Sequence, residues 1–253
     1  MNATPPSQQM GSLQPNKIAA PYDFSIKKVL GEAWRRVNGM KASVWAAIVL
    51  IYLVNMGCGF LFYVVQHLPA PLSVLMMIIV YIIILLIELS LQVGLYFLGV
   101  RRAVDLPVRA KSIFSFLPFM GQFFALFLMQ NVLIGIAGIF LVLSVVLPAS
   151  IISVLLQILF IFISLYIILS FMFAYFLVVE KKLGIFEAYK ASFYAFSQHW
   201  FKITATLFLM GIILLASAIP FFLGLIWTVP MGINLIGILY RQAFGVEDAR
   251  IKQ

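Results

Sequence analysis

Glu88 is the residue whose type and position most clearly allow chemistry, because it is the one charged group within the apolar stretch 72–100. Gln92, Tyr96 and Gly99 follow it at i+4, i+8 and i+11, so they extend a polar or small stripe along one helix face. A carboxylate near the middle of a bilayer is costly unless it is neutral, paired or wetted. Two interpretations remain open: a neutral acid hydrogen-bonded within a helix bundle, or a site for a proton or a substrate.

Other spans are predicted to carry polar residues at nearly the same depth as Glu88. The depth follows from counting inward from the charged residue that flanks each span on its cytoplasmic side. Asn55 lies fourteen residues from Lys41, and Thr228 lies thirteen from Arg241. The candidate intramembrane polar site therefore consists of Glu88, Gln92, Asn55, Tyr166 and Thr228.

The remaining residues offer few candidates for a metal site or for a catalytic nucleophile. His67 and His199 are predicted on opposite sides of the membrane, and Cys58 is the sole cysteine. We therefore predict no metal site, no cofactor, no catalytic residue and no enzymatic activity. Gly135 and Gly138 are interpreted as a close-packing helix face rather than as a phosphate-binding loop, because no strand precedes them.

The composition excludes a water-soluble protein. Of 253 residues, 64% are apolar and 10% are charged, whereas soluble domains average about 45–50% apolar and about 25% charged. The first apolar run begins at Ala42 and is too long for a cleavable signal peptide, so we expect an uncleaved anchor. Residues 1–22 are polar and low in complexity, which predicts a disordered cytoplasmic tail, and 242–253 is predicted to be a second cytoplasmic tail.

The apolar stretches predict an all-α integral membrane protein with six spans, arranged as three hairpins within a membrane domain 42–241. The uncharged stretch 112–179 would reach roughly 100 Å as one helix, about three times the hydrocarbon thickness, so it must turn at Pro148. The stretch 203–240 divides in the same way at Pro220 into two arms close to the minimum length for crossing. The predicted spans are 42–66, 72–100, 118–147, 150–179, 203–219 and 221–240.

The charged residues provide an independent test of this count. The net charge is +9, from 17 Lys and Arg against 8 Asp and Glu. All the basic residues fall in the N-terminal region, the second and fourth connections and the C-terminal region, so both termini are predicted to be cytoplasmic. The residues predicted to meet lipid headgroups at the interface are Lys27, Lys28, Trp34, Arg35, Arg36, Lys41, Arg101, Arg102, Lys190, Trp200 and Lys202.

Amphipathic segments precede some of the spans. Residues 23–41 have apolar side chains at helical spacing and charged ones between them, with Asp23 placed to cap the helix. A second series begins at Ile185, and a constant shift of 159 aligns the two and pairs Trp34 with Phe193. A degenerate third copy before span 3 would end at Pro118, giving an internal repeat of interfacial helix plus hairpin. Such helices either pack on the bundle at the interface, or act as a gate or recruit a lipid or partner, and both interpretations stay open.

The stretches 24–25, 33–41 and 185–193, which read FS, AWRRVNGMK and IFEAYKASF, carry a resemblance to a known group. The sequence resembles bacterial six-span inner-membrane proteins that include the YciC-like proteins and the membrane domain fused to some glycerophosphodiester phosphodiesterases. The resemblance implies a membrane location and an envelope or lipid-linked role. The chain carries no phosphodiesterase domain, so no catalytic residue is carried over.

These observations favour a non-enzymatic membrane protein: a scaffold, accessory subunit or lipid-interacting module with a basic amphipathic cytoplasmic face. The alternative is a small transporter of protons, lipids or amphiphiles that uses the polar layer around Glu88. The expected partners are membrane lipids with anionic headgroups. A protein partner or homo-oligomer is left open, and nucleic acid is not expected.

Overall fold

A computed structural model describes residues 22–147 and 150–246, which form helices joined by turns and contain no strand. The predicted tails lie mostly outside the described residues, as does the predicted corner at Pro148. The helices are α1 Ile26–Arg35, α2 Lys41–Gln66, α3 Leu72–Ala103, α4 Met120–Val146, α5 Ile151–Phe171, α6 Ala174–Glu180, α7 Ile185–Gln198, α8 Trp200–Ala218 and α9 Leu225–Phe244, with 3₁₀ segments at Val37–Gly39 and Ala110–Phe119.

Five helical stretches are long and apolar enough to cross a membrane: α2, α3, Ala110–Val146, Ile151–Glu180 and α8. The prediction of an all-α, multi-pass membrane protein is therefore confirmed at this level. The predicted sixth span corresponds to α9, which has 20 residues but is not among the five. It carries Thr228, Asn234 and Arg241, and polar side chains of this kind fit a helix that is buried by protein rather than by lipid.

The chain forms two compact units. Among the described residues, the first unit holds 24–124 and 205–246, and the second holds 22–23, 125–147 and 150–204. The predicted membrane domain 42–241 is thus divided between them.

In the first unit, α9 packs along the end of α3, and α1 packs on α9. The core includes Val44 of α2, Leu91 and Leu98 of α3, Ile113 of the 3₁₀ segment and Ile233 of α9. These side chains are almost fully buried. The core of this unit therefore lies between the start of α2, the second half of α3 and α9.

The start of α9 is also attached to α2. The indole Nε1 of Trp45 donates to the carbonyl oxygen of Ile226 at 3.1 Å. The ammonium of Lys41 lies 5.8 Å from the ring centroid of Trp227. Because the last turn of α9 reaches α1 while its first turn reaches the first turns of α2, α9 is inclined to α2 rather than aligned with it.

In the second unit, the predicted fourth span is interrupted between α5 and α6. The hydroxyl of Ser192 donates to the carbonyl oxygen of Ser170 at 2.6 Å and accepts from the backbone N–H of Phe173 at 3.2 Å. A side chain of α7 thereby satisfies backbone groups that leave the helical ladder at this break. The predicted span 150–179 therefore corresponds to two successive helices, α5 and α6, with this break between them.

Three local predictions also need correction. Asp23 does not cap α1: Ser25 is at the cap without a side-chain bond, and the Asp23 carboxylate accepts from Lys202 Nζ at 2.5 Å. Pro118 does not end the third amphipathic segment, which is a 3₁₀ helix through Phe119. The corner at Pro220 is a longer turn in which Phe221 and Phe222 adopt positive φ, so α9 begins only at Leu225.

Candidate functional site

The residues of the predicted polar layer do not bond to one another across helices. Gln92 Nε2 donates to Glu88 Oε1 of the same helix at 3.5 Å. Asn55 and Thr228 each donate to a backbone carbonyl one turn earlier in their own helix, at 3.1 and 3.2 Å. Among the described residues of the first unit, these four side chains therefore form no shared site.

Tyr166, the fifth predicted member, lies in the second unit in an aromatic setting. Its ring centroid is 5.1 Å from that of Phe196 and 6.1 Å from that of Phe193. It lines an open cavity of about 320 Å³ between α5, α7 and α8, where Trp200 and Thr204 also contribute. The lining is almost wholly apolar, so this cavity suits a hydrocarbon chain better than an ion.

A charged cluster that the sequence analysis did not find joins three elements of the first unit. Arg241, in the last turn of α9, donates from Nη2 to both carboxylate oxygens of Glu32 at 3.0 and 2.9 Å. Arg36 Nε donates to Glu32 Oε1 at 2.8 Å. Arg241 Nη1 also donates to the carbonyl oxygen of Ala103. The side chains of Glu32, Arg36 and Arg241 are each about one-fifth exposed, so these bonds are only partly screened by solvent.

The cluster continues to the end of α3. Arg36 Nη1 donates to Asp105 Oδ1 at 2.5 Å and to the carbonyl oxygen of Arg102 at 2.8 Å, and Arg102 Nε donates to the carbonyl oxygen of Arg36 at 3.1 Å. Burial lowers the pKa of Arg36, but hydrogen bonds to Asp105 and Glu32 outweigh it and raise the pKa above its ordinary value. Gly39 leaves room for this arrangement, since a Cβ there would lie 2.8 Å from Arg102 Nη1 and closer to other guanidinium atoms.

Part of this cluster was visible in the sequence. Glu32 and Arg36 are four residues apart in an amphipathic helix, which is the spacing of an intrahelical ion pair. Arg241 follows Glu32 by 209 residues, and nothing in the sequence links them. Arg36 and Arg102 were predicted to meet lipid headgroups, but the structure engages both with protein acceptors.

Other cations of the first unit have no protein acceptor among the described residues. Lys27, Lys28 and Arg35 of α1 are exposed and make no hydrogen bond there. Trp34 lies beside them with 52% of its surface exposed, although the sequence pattern placed it on the apolar face. The opposite edge of that face is buried through Val29, Ala33 and Val37. One side of α1 therefore packs on protein, and the other side, which is aromatic and cationic, is exposed.

Arg101 and Arg109 form a second group of cations without an acceptor. The Nε atom of Arg101 is buried and lacks a hydrogen-bond partner in the described structure. Burial, and to a smaller degree the positive charge of the exposed Arg109, disfavours the charge on Arg101. Two guanidinium groups whose charges interact, one with an unsatisfied N–H, make a site that an anion would complete.

The predicted interface residues of the second unit have mixed settings. Lys190 and Trp200 are exposed, whereas Lys202 is paired with Asp23. The hydroxyl of Tyr22 donates to the carbonyl oxygen of Ala195 at 2.9 Å, and burial raises the pKa of Tyr22 above its ordinary value. Within residues 22–147 and 150–246, no three His, Cys, Asp or Glu side chains lie close enough together to hold a metal ion.

The two amphipathic helices share a pattern of exposure. Residues that differ by 159 in number have similar burial in α1 and α7, each helix considered within its own unit. Ala33 and Ser192 are fully buried, whereas Trp34 and Phe193 are 52% and 40% exposed. The other matched pairs agree as well: Val29 with Ala188, Val37 with Phe196, Leu30 with Tyr189 and Ile26 with Ile185.

Comparison with models of known families, with curated proteins and with solved structures found no match. The fold defines the class as a helical protein with at least five stretches suited to crossing a membrane.

Proposed function

We propose that this protein is an inner-membrane accessory or scaffold protein that binds anionic lipid headgroups at its cytoplasmic face. The observation that carries the proposal is the division of cations on α1. Arg36 is bound by the carboxylates of Glu32 and Asp105, whereas Lys27, Lys28 and Arg35 are exposed without an acceptor. Three free cations beside the exposed indole of Trp34 match the composition of helices that lie in a headgroup layer.

The charged cluster of Glu32, Arg36 and Arg241 fixes the orientation of α1. Glu32 and Arg36 hold α1 to the ends of α3 and α9, so α1 cannot turn its cations inward. Each cation near an anionic bilayer contributes about 1 kcal/mol of attraction. Lys27, Lys28 and Arg35 would therefore select anionic over zwitterionic lipids.

Arg101 and Arg109 extend the same function. A guanidinium group donates to two oxygens of a phosphate in a fixed geometry. A lipid phosphate at the end of α3 would give Arg101 Nε the acceptor that it lacks among described residues.

The proposal treats α9 as an inclined helix at the start of α2 and the end of α3 rather than as a sixth span. Its 20 residues extend about 30 Å, but Trp227 lies beside Lys41 at the start of α2, and Ile233 lies against Gly99 near the end of α3. Arg241 at its end contacts Glu32, which precedes the first span, so both belong to one face of the membrane. The shared exposure pattern of α1 and α7 supports an internal repeat, in line with the resemblance to six-span inner-membrane proteins.

A second candidate function is transport of a lipid or amphiphile. One observation favours it: the apolar cavity of about 320 Å³ beside Tyr166 in the second unit. A protein that moves lipids should accelerate the exchange of a fluorescent lipid between leaflets of proteoliposomes. An exchange rate equal to that of protein-free vesicles would remove this candidate.

Lipid selectivity can be measured by electron paramagnetic resonance of the protein in bilayers that contain spin-labelled phosphatidylglycerol or phosphatidylcholine. The wild type should immobilise phosphatidylglycerol preferentially at low salt. The triple variant K27Q/K28Q/R35Q should lose at least about fivefold of this preference, which corresponds to about 1 kcal/mol. The control K27R/K28R/R35K keeps the charges and should keep the preference. Equal immobilisation of both lipids by the wild type would contradict the proposal.

A further inference from the structure

One stripe of α3 carries polar and aromatic side chains that the first unit leaves uncovered. We call it the α3 seam: Tyr81, Leu85, Glu88, Gln92 and Tyr96. Tyr81 is 61% exposed and Tyr96 is 40% exposed. Between Glu88 and Leu98, Gln92 and Tyr96 are the exposed residues, and the others are half-buried or buried. Leu85 and Glu88 are half-buried, so the seam lies along the edge of α3 that the first unit only partly covers, at the position where α3 carries its one carboxyl group.

The hydrogen bonding of the seam is incomplete. Gln92 Nε2 and Glu88 Oε1 are 3.5 Å apart, which is at the long limit for a hydrogen bond. The second amide N–H and the amide oxygen of Gln92, like the second carboxyl oxygen of Glu88, have no partner among the described residues. Glu88 lies at the middle of α3, where hydrocarbon offers no donor or acceptor.

We infer that the α3 seam is an interface between two copies of this chain, in which Glu88 of each copy bonds to Gln92 of the other. The free N–H of Gln92 in one copy donates to the carboxyl oxygen of Glu88 in its partner, and a two-fold axis along the membrane normal repeats the bond. Such an interface is isologous: one patch is complementary to itself. The two-fold axis places Glu88 of each copy one helical turn, about 6 Å along the axis, from Gln92 of the other copy, an offset that the two long side chains can span.

The spacing of the seam fits two parallel helices. Its residues follow one another by four, three, four and four positions, close to the heptad spacing that keeps one stripe facing a partner helix. Most membrane helix pairs cross at the small angle that this spacing produces, and interhelical polar bonds strengthen them. The inference uses the membrane placement of α3 and is independent of the lipid binding proposed for α1.

Dimerisation can be measured by single-molecule photobleaching of fluorescently labelled full-length protein in liposomes over a range of protein-to-lipid ratios. The wild type should show a two-step population that grows with density. The variant E88L/Q92L should need at least about tenfold higher density for the same dimer fraction. E88Q keeps a hydrogen-bonding side chain and should dimerise like the wild type. N131L removes an exposed polar residue of α4 and serves as the matched control.

A cross-linking experiment locates the interface without removing the polar pair. In a C58S background, Y81C places a thiol on the seam and V145C places one on an exposed position of α4. Y81C should form a disulfide between copies under oxidation, and V145C should not. A wild type that bleaches in one step at every density would overturn the inference. So would a dimer that E88L/Q92L leaves unchanged, or cross-linking through V145C alone.

The outcomes separate this inference from the proposed function. E88L/Q92L retains every cation of α1, so its preference for phosphatidylglycerol should equal that of the wild type. The variant K27Q/K28Q/R35Q should lose the lipid preference but show the same photobleaching distribution as the wild type.

Discussion

Gly99 and Ile233 bring α3 and α9 into contact backbone to backbone. A Cβ atom on Gly99 would lie 2.7 Å from the carbonyl carbon of Ile233 and closer still to its oxygen. From the other side, a Cβ atom on Gly237 would lie 2.5 Å from the backbone nitrogen of Val100. Backbone atoms cannot move aside as a flexible side chain can, so these two glycines determine how closely the helices approach.

We predict that Gly99→Ala and Gly237→Ala each lower the free energy of unfolding by about 1–3 kcal/mol, the usual cost of overpacking. Alanine is the better helix former by about 1 kcal/mol, so sterics must outweigh propensity here. Gly135→Ala and Gly138→Ala are the matched controls, because nothing lies within 4 Å of an added Cβ. Denaturation of the four variants in detergent measures the difference. Equal stability of all four would refute the close contact.

The sequence alone did not predict which glycines lie at a close helix contact. Gly135 and Gly138 were predicted to form the close-packing face, and that is wrong because an added Cβ at either meets open space. A stretch of small residues indicates that a helix can be approached closely. Which helix approaches it depends on pairs such as Gly99 with Gly237, which are far apart in the chain.

In the fold and the candidate site too, local properties could be predicted from the sequence, whereas contacts between distant residues could not. Hydropathy is a local property, so the helical membrane class and the five apolar stretches followed from the sequence. The amphipathic period of α1 also predicted which edge packs on protein, through Val29 and Ala33. The contact of Glu32 with Arg241 could not be predicted, because it depends on where α9 returns in space.

Glu32→Gln should loosen α1. Glutamine keeps the shape of the side chain but loses the charge that binds Arg36 and Arg241, and hydrogen bonds to charged groups contribute about 1.5–3 kcal/mol. Partial exposure of the three side chains reduces this value, so we expect a loss of about 1 kcal/mol. Hydrogen exchange of the α1 amides should accelerate about fivefold.

The control for this variant is Glu187→Gln in the first turn of α7, a glutamate without a bonding partner among the described residues. Its exchange pattern should match that of the wild type. If the α1 amides of Glu32→Gln exchange at the wild-type rate, the charged cluster does not hold α1 in place.

Asn234→Asp should destabilise the first unit more than Asn234→Leu. Asn234 is fully buried, and its Nδ2 donates at 3.2 Å to the carbonyl oxygen of Ala33, one of the last carbonyls of α1. Aspartate replaces this donor by a second acceptor and buries an oxygen against the carbonyl, at a cost of about 1–3 kcal/mol or more. Leucine loses the bond but also removes the buried Oδ1, which has no partner in the described structure.

Thermal denaturation compares the two Asn234 variants with Asn38→Asp, an exposed position that should change stability by less than about 0.5 kcal/mol. An Asn234→Asp protein as stable as Asn234→Leu would show that water or a rearranged backbone satisfies the new oxygen.

The last prediction concerns the number of crossings, and it follows from the contact between Arg241 and Glu32. Because this contact joins the end of α9 to the helix that precedes the first span, a reporter fused after Gln253 should be cytoplasmic. Reporters in the connection 104–109 should be cytoplasmic as well, and those beside His67 should be external.

The turn between α8 and α9 decides between six spans and four, because a hairpin that returns without crossing removes both crossings. Its tip is apolar, with Phe221 91% exposed, and Trp45 and Lys41 hold the start of α9 beside the first turns of α2, so we expect the tip to stop short of the outer headgroup layer. In a C58S background, F221C should therefore not react with a membrane-impermeant maleimide added outside cells, whereas L68C should. If F221C reacts from outside, α8 and α9 both cross the membrane and the count is six. The fusion after Gln253 would be cytoplasmic in either case, since both arrangements leave Arg241 beside Glu32, so the labelling of Phe221→Cys is the measurement that fixes the count.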